Sequence, residues 1–360
     1  MSAKITKATV EYLKFPLAQA VGGSGVTGVD VVVVDLEDAN GVIATGFTYG
    51  LRGGGTVIKA AAEDLCARLV IGQAADAPLV LFRQLAGSLN RLGRGVYFMA
   101  IAAIDMAVWD LHAKQRGIPL YQAMGGRARA VPVYGSGGYT ANQAPEAAVA
   151  QALKHVQQGF PAVKLRLAGE RADIARMQAV RAALPAEIDL MVDTNEKCDL
   201  NRALWLAREC AELGVLWLEE PLPALDYAAH AQLARSSPVS IATGEHLQGC
   251  VEVMPLLQAN ACSVIQPDLA AIGGLSETLR VCQQAEFFGV TVSPHFLPAL
   301  FIHVACAAPN VTWLEDFPLL EPLFKISVKI DAKQRMSPGD APGHGMAWAD
   351  GARAAYRVKV

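Results

Sequence analysis

The chain has 360 residues, with 31 Lys and Arg against 34 Asp and Glu, for a formal charge of −3. That balance leaves no basic field to hold nucleic acid or an anionic membrane surface. Its length suits a barrel of about 250 residues plus a second domain of about 100, and 52% hydrophobic residues supply a large core and an apolar subunit interface, so a homo-oligomer is expected.

Residues 5–17 and 29–36 read as strands, the turn signal Asp38-Ala39-Asn40-Gly41 follows, and 42–49 returns as a third strand of an antiparallel meander. Gly22-Gly23-Ser24-Gly25, between the first two, lacks the Lys-Ser/Thr of a phosphate loop and opens no helix, so it reads as a mobile flap. Helices are expected over 56–70 and 95–116. In the second, Ala100, Ala103, Ile104, Ala107, Val108 and Leu111 recur at helical spacing as a core stripe. This most apolar stretch, 96–111, is interrupted by Asp105 and Asp110 and reads as too short to cross a bilayer. The first fourteen residues have no charged-then-apolar signal layout. Seven cysteines without a Cys-x-x-Cys pair indicate reduced thiols in a cytoplasmic protein.

Gly117-Ile118-Pro119-Leu120 ends the second helix and Gly125-Gly126-Arg127 reads as a linker, which makes 1–125 a first, α+β unit. A strand over 131–134 and the loop Gly135-Ser136-Gly137-Gly138 open the next unit, followed by a helix over 145–159 and a strand over 162–166. Lys164 and Arg166, two apart in that strand, share a face. If one points into a barrel mouth, so does the other.

Three apolar strands then each deliver an acid at the C-terminal end: 188–192 into Asp193, 215–218 into Glu219-Glu220-Pro221, and 239–242 through Thr243-Gly244 into Glu245. Asp193, Glu219 and Glu245 are spaced 26 residues apart, room for one helix and two short loops per repeat. In a closed parallel β/α barrel such tips share one rim. One acid at a strand end is explained as well by a helix N-cap, but three at an even interval are not. Converging carboxylates with no Cys or His among them point to Mg²⁺, with Mn²⁺ as a stand-in. Further on, 262–267 carries Asp268 at its tip and 290–294 carries His295. On neighbouring strands the two can pair, so that the carboxylate fixes the tautomer of a base. A last strand over 311–314 leads to Glu315, and 323–360 reads as a tail packing back on the first unit.

A metal rim with a Lys/Arg pair and a His/Asp pair suits removal of a proton next to a carboxylate, where negative charge grows on the substrate. Ile104-Asp105-Met106-Ala107-Val108-Trp109-Asp110, Lys164-Leu165-Arg166, Val192-Asp193-Thr194-Asn195, Leu218-Glu219-Glu220-Pro221, Gly244-Glu245, Gln266-Pro267-Asp268, Ser293-Pro294-His295 and Trp313-Leu314-Glu315 together resemble the mandelate racemase subgroup of the enolase superfamily, over essentially the whole chain. The resemblance implies an α/β fold: a modified TIM barrel, (β/α)₇β, over 126–322. An α+β capping domain over 1–125, completed by the segment 323–360, would cover it. It also implies Asp193, Glu219 and Glu245 as Mg²⁺ ligands, His295 with Asp268 as one acid/base, and Lys164 near the substrate carboxylate. Asn195 would be a polar contact, Glu315 a protonated donor to the enolate oxygen, and the flap over 21–29 would set selectivity. Tyr134, Ser136 and Arg52 are candidate substrate contacts.

One position departs from the pattern: the Lys-x-Lys element of the racemase has Arg166 in second place. Arginine stays protonated and is a poor proton acceptor, whereas a racemase needs a base on each face. The expected activity is therefore dehydration of a hydroxylated acid, an acid sugar, with His295 helping the β-hydroxyl leave; His295 is also the base for a syn elimination, and Lys164 is the base for an anti one. A racemase or epimerase of a 2-hydroxy acid is the alternative. A cycloisomerase or a non-catalytic carboxylate-binding barrel are more remote ones.

Overall fold

The computed structural model describes residues 3–21 and 25–359; Gly22, Gly23 and Ser24 of the expected flap lie outside the described residues. Strands β1 (Ile5–Val21), β2 (Val26–Asp38) and β3 (Ile43–Gly50) form an antiparallel sheet in that order. The valine run of β2 has no polar alternation because both of its faces are covered. Val31 and Val33 pack into the core shared with the barrel, while Val32 and Val34 pack under the helices of the first unit.

Helix α1 (Gly55–Leu65) is shorter than expected, since Cys66–Val70 continues it as a π-helical turn. The chain pattern did not announce α2 (Pro78–Gly87). Helix α3 (Gly95–Gln115) forms where expected, and with 21 residues and a mean hydropathy of 1.4 it is long and apolar enough to cross a membrane, so the expectation that its apolar stretch 96–111 is too short does not hold for the helix. Its burial explains its composition, because 83% of the apolar window is covered by the rest of the fold. Gly46 permits that close packing: a Cβ there would lie 2.1 Å from the carbonyl oxygen of Ala103 and 2.4 Å from the nitrogen of Ala107. At the far side of α3, Asp105 accepts from the backbone nitrogen (2.8 Å) and hydroxyl (2.5 Å) of Ser276 in the barrel.

After the short α4 (Leu120–Ala123), β4 (Val131–Gly135), β5 (Ala162–Arg166), β6 (Asp189–Asp193), β7 (Val215–Glu219), β8 (Ser240–Thr243), β9 (Val264–Ile265) and β10 (Thr291–Val292) pair in parallel in chain order. β11 (Leu314–Asp316) pairs with β4, and a parallel bridge from Val311 to Val292 closes the ring of eight. The strands expected over 262–267 and 290–294 shrink to two paired residues each, and Glu315 sits within its strand instead of beyond it. Helices between successive strands form the outer layer.

The tail packs on the first unit: Phe324 stacks on Phe47 at 4.8 Å between ring centroids, and Arg353 reaches Glu11 (2.7 Å) and Asp35 (2.6 Å). It also joins the barrel, since a strand over Arg335–Pro338 pairs antiparallel with β4 through Met336 and Val131. All seven cysteines are buried and unpaired.

Candidate active site

The acids sit at the rim because the middle of each strand is apolar and the acid comes at or just beyond its C-terminal end. Asp193 and Glu219 end β6 and β7 and lie side by side in the register; Glu245 follows β8 by two residues. Beyond these tips the backbone turns sharply. Asn195, Glu196, Glu220, Phe296 and Leu297 all have positive φ, five of the seven non-glycine cases among the described residues. Such conformations cost energy and persist where the surrounding structure over-determines them.

Lys164 and Arg166 both point inward, as their shared face requires. Lys164 Nζ contacts Glu219 Oε1, lies 2.8 Å from Glu315 Oε1 and 3.8 Å from Asp193 Oδ2, while Arg166 contacts Asp193 Oδ2. Burial opposes the charge of Lys164, but Glu219 and Glu315 outweigh it and hold the ammonium protonated. Burial would likewise raise Asp193, yet Arg166 and Lys164 keep it below the usual carboxylate range. Glu219 goes the other way: burial pushes it well up, Lys164 opposes, and Asp193, Glu315 and Glu245 add to the rise. To burial is added a charge mismatch. Four carboxylates, Asp193, Glu219, Glu245 and Glu315, face two fixed cations, leaving two negative charges uncompensated. A divalent cation fits that excess, and an all-oxygen donor set suits a hard one.

On the other side of the mouth, His295 Nδ1 lies 2.8 Å from Asp268 Oδ2, and Nε2 lies 3.6 Å from Glu245 Oε2. Asp268 is fixed from behind by the amides of Ala270 (2.9 Å) and Ala271 (3.0 Å) at its Oδ1. Burial disfavours the imidazolium, but Glu245, Asp268 and Glu315 raise His295 to about 10. A cation bound at Glu245 would cancel part of that pull. The sequence reading missed one member of this group: the hydroxyl of Tyr49, from β3, donates to the same Asp268 Oδ2. No local pattern connects residues 219 positions apart.

Glu315 differs from the expected protonated donor. Burial raises its pKa, but Lys164 and His295 outweigh that and hold it down at about 2. Its Oε2 accepts from the Phe296 amide at 2.9 Å, while its Oε1 is ion-paired with Lys164. Tyr134 lies fully buried beneath Lys164, whose Nζ is 5.4 Å from the ring centroid, and Ser136 is also buried; neither is brought to the pocket wall. Asn195 and Arg52 do reach it. The pocket, about 490 Å³, lies between the capping sheet and the barrel rim, bounded by Val26, Tyr49, Leu51 and Met99 above and Glu245, Asp268 and His295 below. Lys197 and His246, not expected from the sequence, also line it.

Residues 2–125 match the mandelate racemase / muconate lactonizing enzyme N-terminal domain family, and residues 147–352 match the enolase C-terminal domain-like family. The chain belongs to the enolase superfamily, in its mandelate racemase group. Within that superfamily it is 34% identical over 336 residues to L-talarate/galactarate dehydratase of Salmonella typhimurium, covering 91% of this chain and 82% of the relative. Arabinonate dehydratase of Saccharolobus solfataricus is 27% identical, covering 95% of this chain and 94% of the relative. The crystal structure of L-talarate dehydratase from Polaromonas sp. JS666, complexed with Mg and L-glucarate, superposes with a TM-score of 0.91 at 31% identity, covering 99% of this chain and 98% of that one.

Proposed function

We propose that this enolase-superfamily chain is a Mg²⁺-dependent acid-sugar dehydratase, which removes the proton α to a carboxylate and expels the β-hydroxyl. The observation that carries the reading is an asymmetry: an oriented His295–Asp268 pair lines the pocket, whereas Lys164 and Arg166 are carboxylate-anchored cations buried among the rim acids. The dehydratase relatives, one of them holding glucarate, support it.

Asp193, Glu219 and Glu245 would hold the ion. When bound it supplies positive charge to a substrate carboxylate whose α-carbon is losing its proton. Asp268 holds the Nδ1 proton of His295, so Nε2 is the atom that faces the pocket and accepts the α-proton. The same Nε2 then returns a proton to the departing β-hydroxyl, a syn elimination served by one residue. Lys164 and Arg166, kept charged by their acids, balance the negative charge that develops on the carboxylate oxygens. Glu315 keeps Lys164 in place. Asn195 and Arg52 stand where a substrate's hydroxyls and far end would lie, and the capping sheet excludes water.

The same proposal assigns 1–125 to the cap, 126–322 to the catalytic barrel and 323–360 to a segment that ties the two together. It includes assembly into a homo-oligomer, supported by the exposed Val80, Val251 and Phe287, and a cytoplasmic setting, supported by the seven free thiols. The test is incubation with a panel of acid sugars in deuterated water, with Mg²⁺ and after chelation. A 2-keto-3-deoxy acid formed only with the metal supports the reading. Recovered substrate with a deuterated, scrambled α-carbon and no keto product makes the protein a racemase instead.

A further inference from the structure

The three loops that carry Asp193, Glu219 and Glu245 each present one more donor: Glu196, Glu220 and His246. Their ligand atoms lie within 4.8 Å of one another, the one such set of three found among the described residues. His246 Nδ1 is 3.2 Å from Glu196 Oε1 and 3.2 Å from Glu220 Oε1. A four-coordinate divalent ion with bonds of about 2.1 Å keeps neighbouring ligand atoms about 3.4 Å apart, so this spacing suits an ion with little movement.

A second observation points the same way. Glu220 is 0% exposed, and neither of its carboxylate oxygens is engaged in a hydrogen bond. A carboxylate withdrawn from water needs its charge met, and among the described residues the group that pairs with it is the third member of the cluster, His246. Glu196 is already oriented from behind, since its Oε1 accepts from the Ala224 amide at 2.8 Å, the kind of support that ligating carboxylates receive.

We propose that Glu196, Glu220 and His246 form a second divalent-cation site on the pocket rim, separate from the three-carboxylate site, and that it takes a borderline ion such as Zn²⁺. One imidazole nitrogen and two carboxylate oxygens suit zinc and its transition-metal neighbours, whereas Mg²⁺ favours oxygens alone in an octahedron. The imidazole lines the pocket and its side chain is 54% exposed, which leaves coordination positions open to water or to a hydroxyl or carboxylate of an entering ligand. His246 Nε2 lies 3.9 Å from Glu245 Oε1, so the two sites share a wall.

The experiment titrates Zn²⁺ into the full chain already saturated with Mg²⁺, by calorimetry, and collects anomalous diffraction at the zinc edge from soaked crystals. One zinc per chain is expected, with a peak at bonding distance from all three side chains. His246→Ala and Glu220→Gln should each lower zinc affinity at least tenfold, with folding checked by circular dichroism. Should Glu220→Gln fail to fold, Glu196→Gln, on a partly exposed side chain, tests the same ligand set. Zinc found only at Asp193, Glu219 and Glu245, no anomalous peak, or affinity unchanged in the variants overturns the proposal and leaves His246 as an imidazolium bracing two acids. None of these readouts depends on which substrate the protein turns over.

Discussion

Replacing Asp268 with Asn isolates the orientation of His295 from every other feature of the pocket. Asp268 Oδ1 accepts two backbone amides, at 2.9 and 3.0 Å, and the Asn oxygen can take over both. The amide NH₂ then falls where Oδ2 now receives His295 Nδ1 at 2.8 Å and the Tyr49 hydroxyl. A donor facing two donors drives the imidazole to the tautomer with its proton on Nε2, so the atom facing the pocket can no longer accept one. Loss of a positioned general base costs about 10³-fold in kcat, equivalent to about 4 kcal/mol of barrier. The fold should lose only about 1 to 2 kcal/mol, because one charged hydrogen-bonding arrangement is exchanged for a poorer neutral one. Dehydration kinetics, α-proton exchange followed by NMR, and the nitrogen chemical shifts of His295 would report activity and tautomer separately. If the variant keeps kcat within about threefold of the parent while its tautomer has changed, His295 is not the base and the mechanism above fails.

Arg166→Lys places an ionisable amine three strands round the barrel from His295. It should confer α-deuterium exchange on the substrate epimer that the parent leaves untouched, and exchange absent from both epimers would show that the arginine is not what restricts the chemistry to one face. Gly46→Ala drives a methyl group into the backbone of α3, 2.1 Å from the Ala103 oxygen, and should cost about 3 kcal/mol by urea denaturation. A neutral result would mean that the sheet and helix can separate freely. Asp105, raised from 3.8 to about 7 by burial, against the opposing hydrogen bonds from Ser276, ties stability to pH. Between those values the folded state holds more protons than the unfolded one, so stability falls as pH rises through that window, by up to about 4 kcal/mol, and this loss levels off above it. Urea melts from pH 4 to 8 should show a shallower fall in Asp105→Asn. An identical slope in both proteins would remove Asp105 from the explanation.

Much of the site was legible because its signals are local. A parallel strand buried on both faces must be apolar throughout, so the first acid after such a run marks a tip, and an even repeat puts successive tips on one rim. Lys164 and Arg166 were placed together by the two-residue period of a strand, and Asp268 and His295 by belonging to neighbouring repeats. Short paired segments blurred the boundaries: β9 and β10 keep only two residues each, because the rim loops leave the sheet early. Tyr134 was misplaced as a pocket contact, since a tyrosine ending a strand looks the same whether its ring lies under the metal rim or on the pocket wall. The helix α3 itself has the expected extent, but the reach of its apolar stretch was underestimated because its two aspartates look like breaks in an apolar run. Both are satisfied: Asp105 by Ser276, and Asp110 by the amides of Thr45 and His344, each at 3.0 Å.

The order of residues along the chain was enough to establish the barrel, its capping unit, the three rim acids and the histidine with its carboxylate, because periodicity and strand ends are properties of short stretches. Only folding in three dimensions brought Tyr49 of the cap onto Asp268 of the barrel, ionised Glu315 by setting an ammonium beside it, and drew Glu196, Glu220 and His246 into one cluster. Those contacts join residues from different loops and domains. Their energies depend on distance and burial, which no spacing along a sequence records.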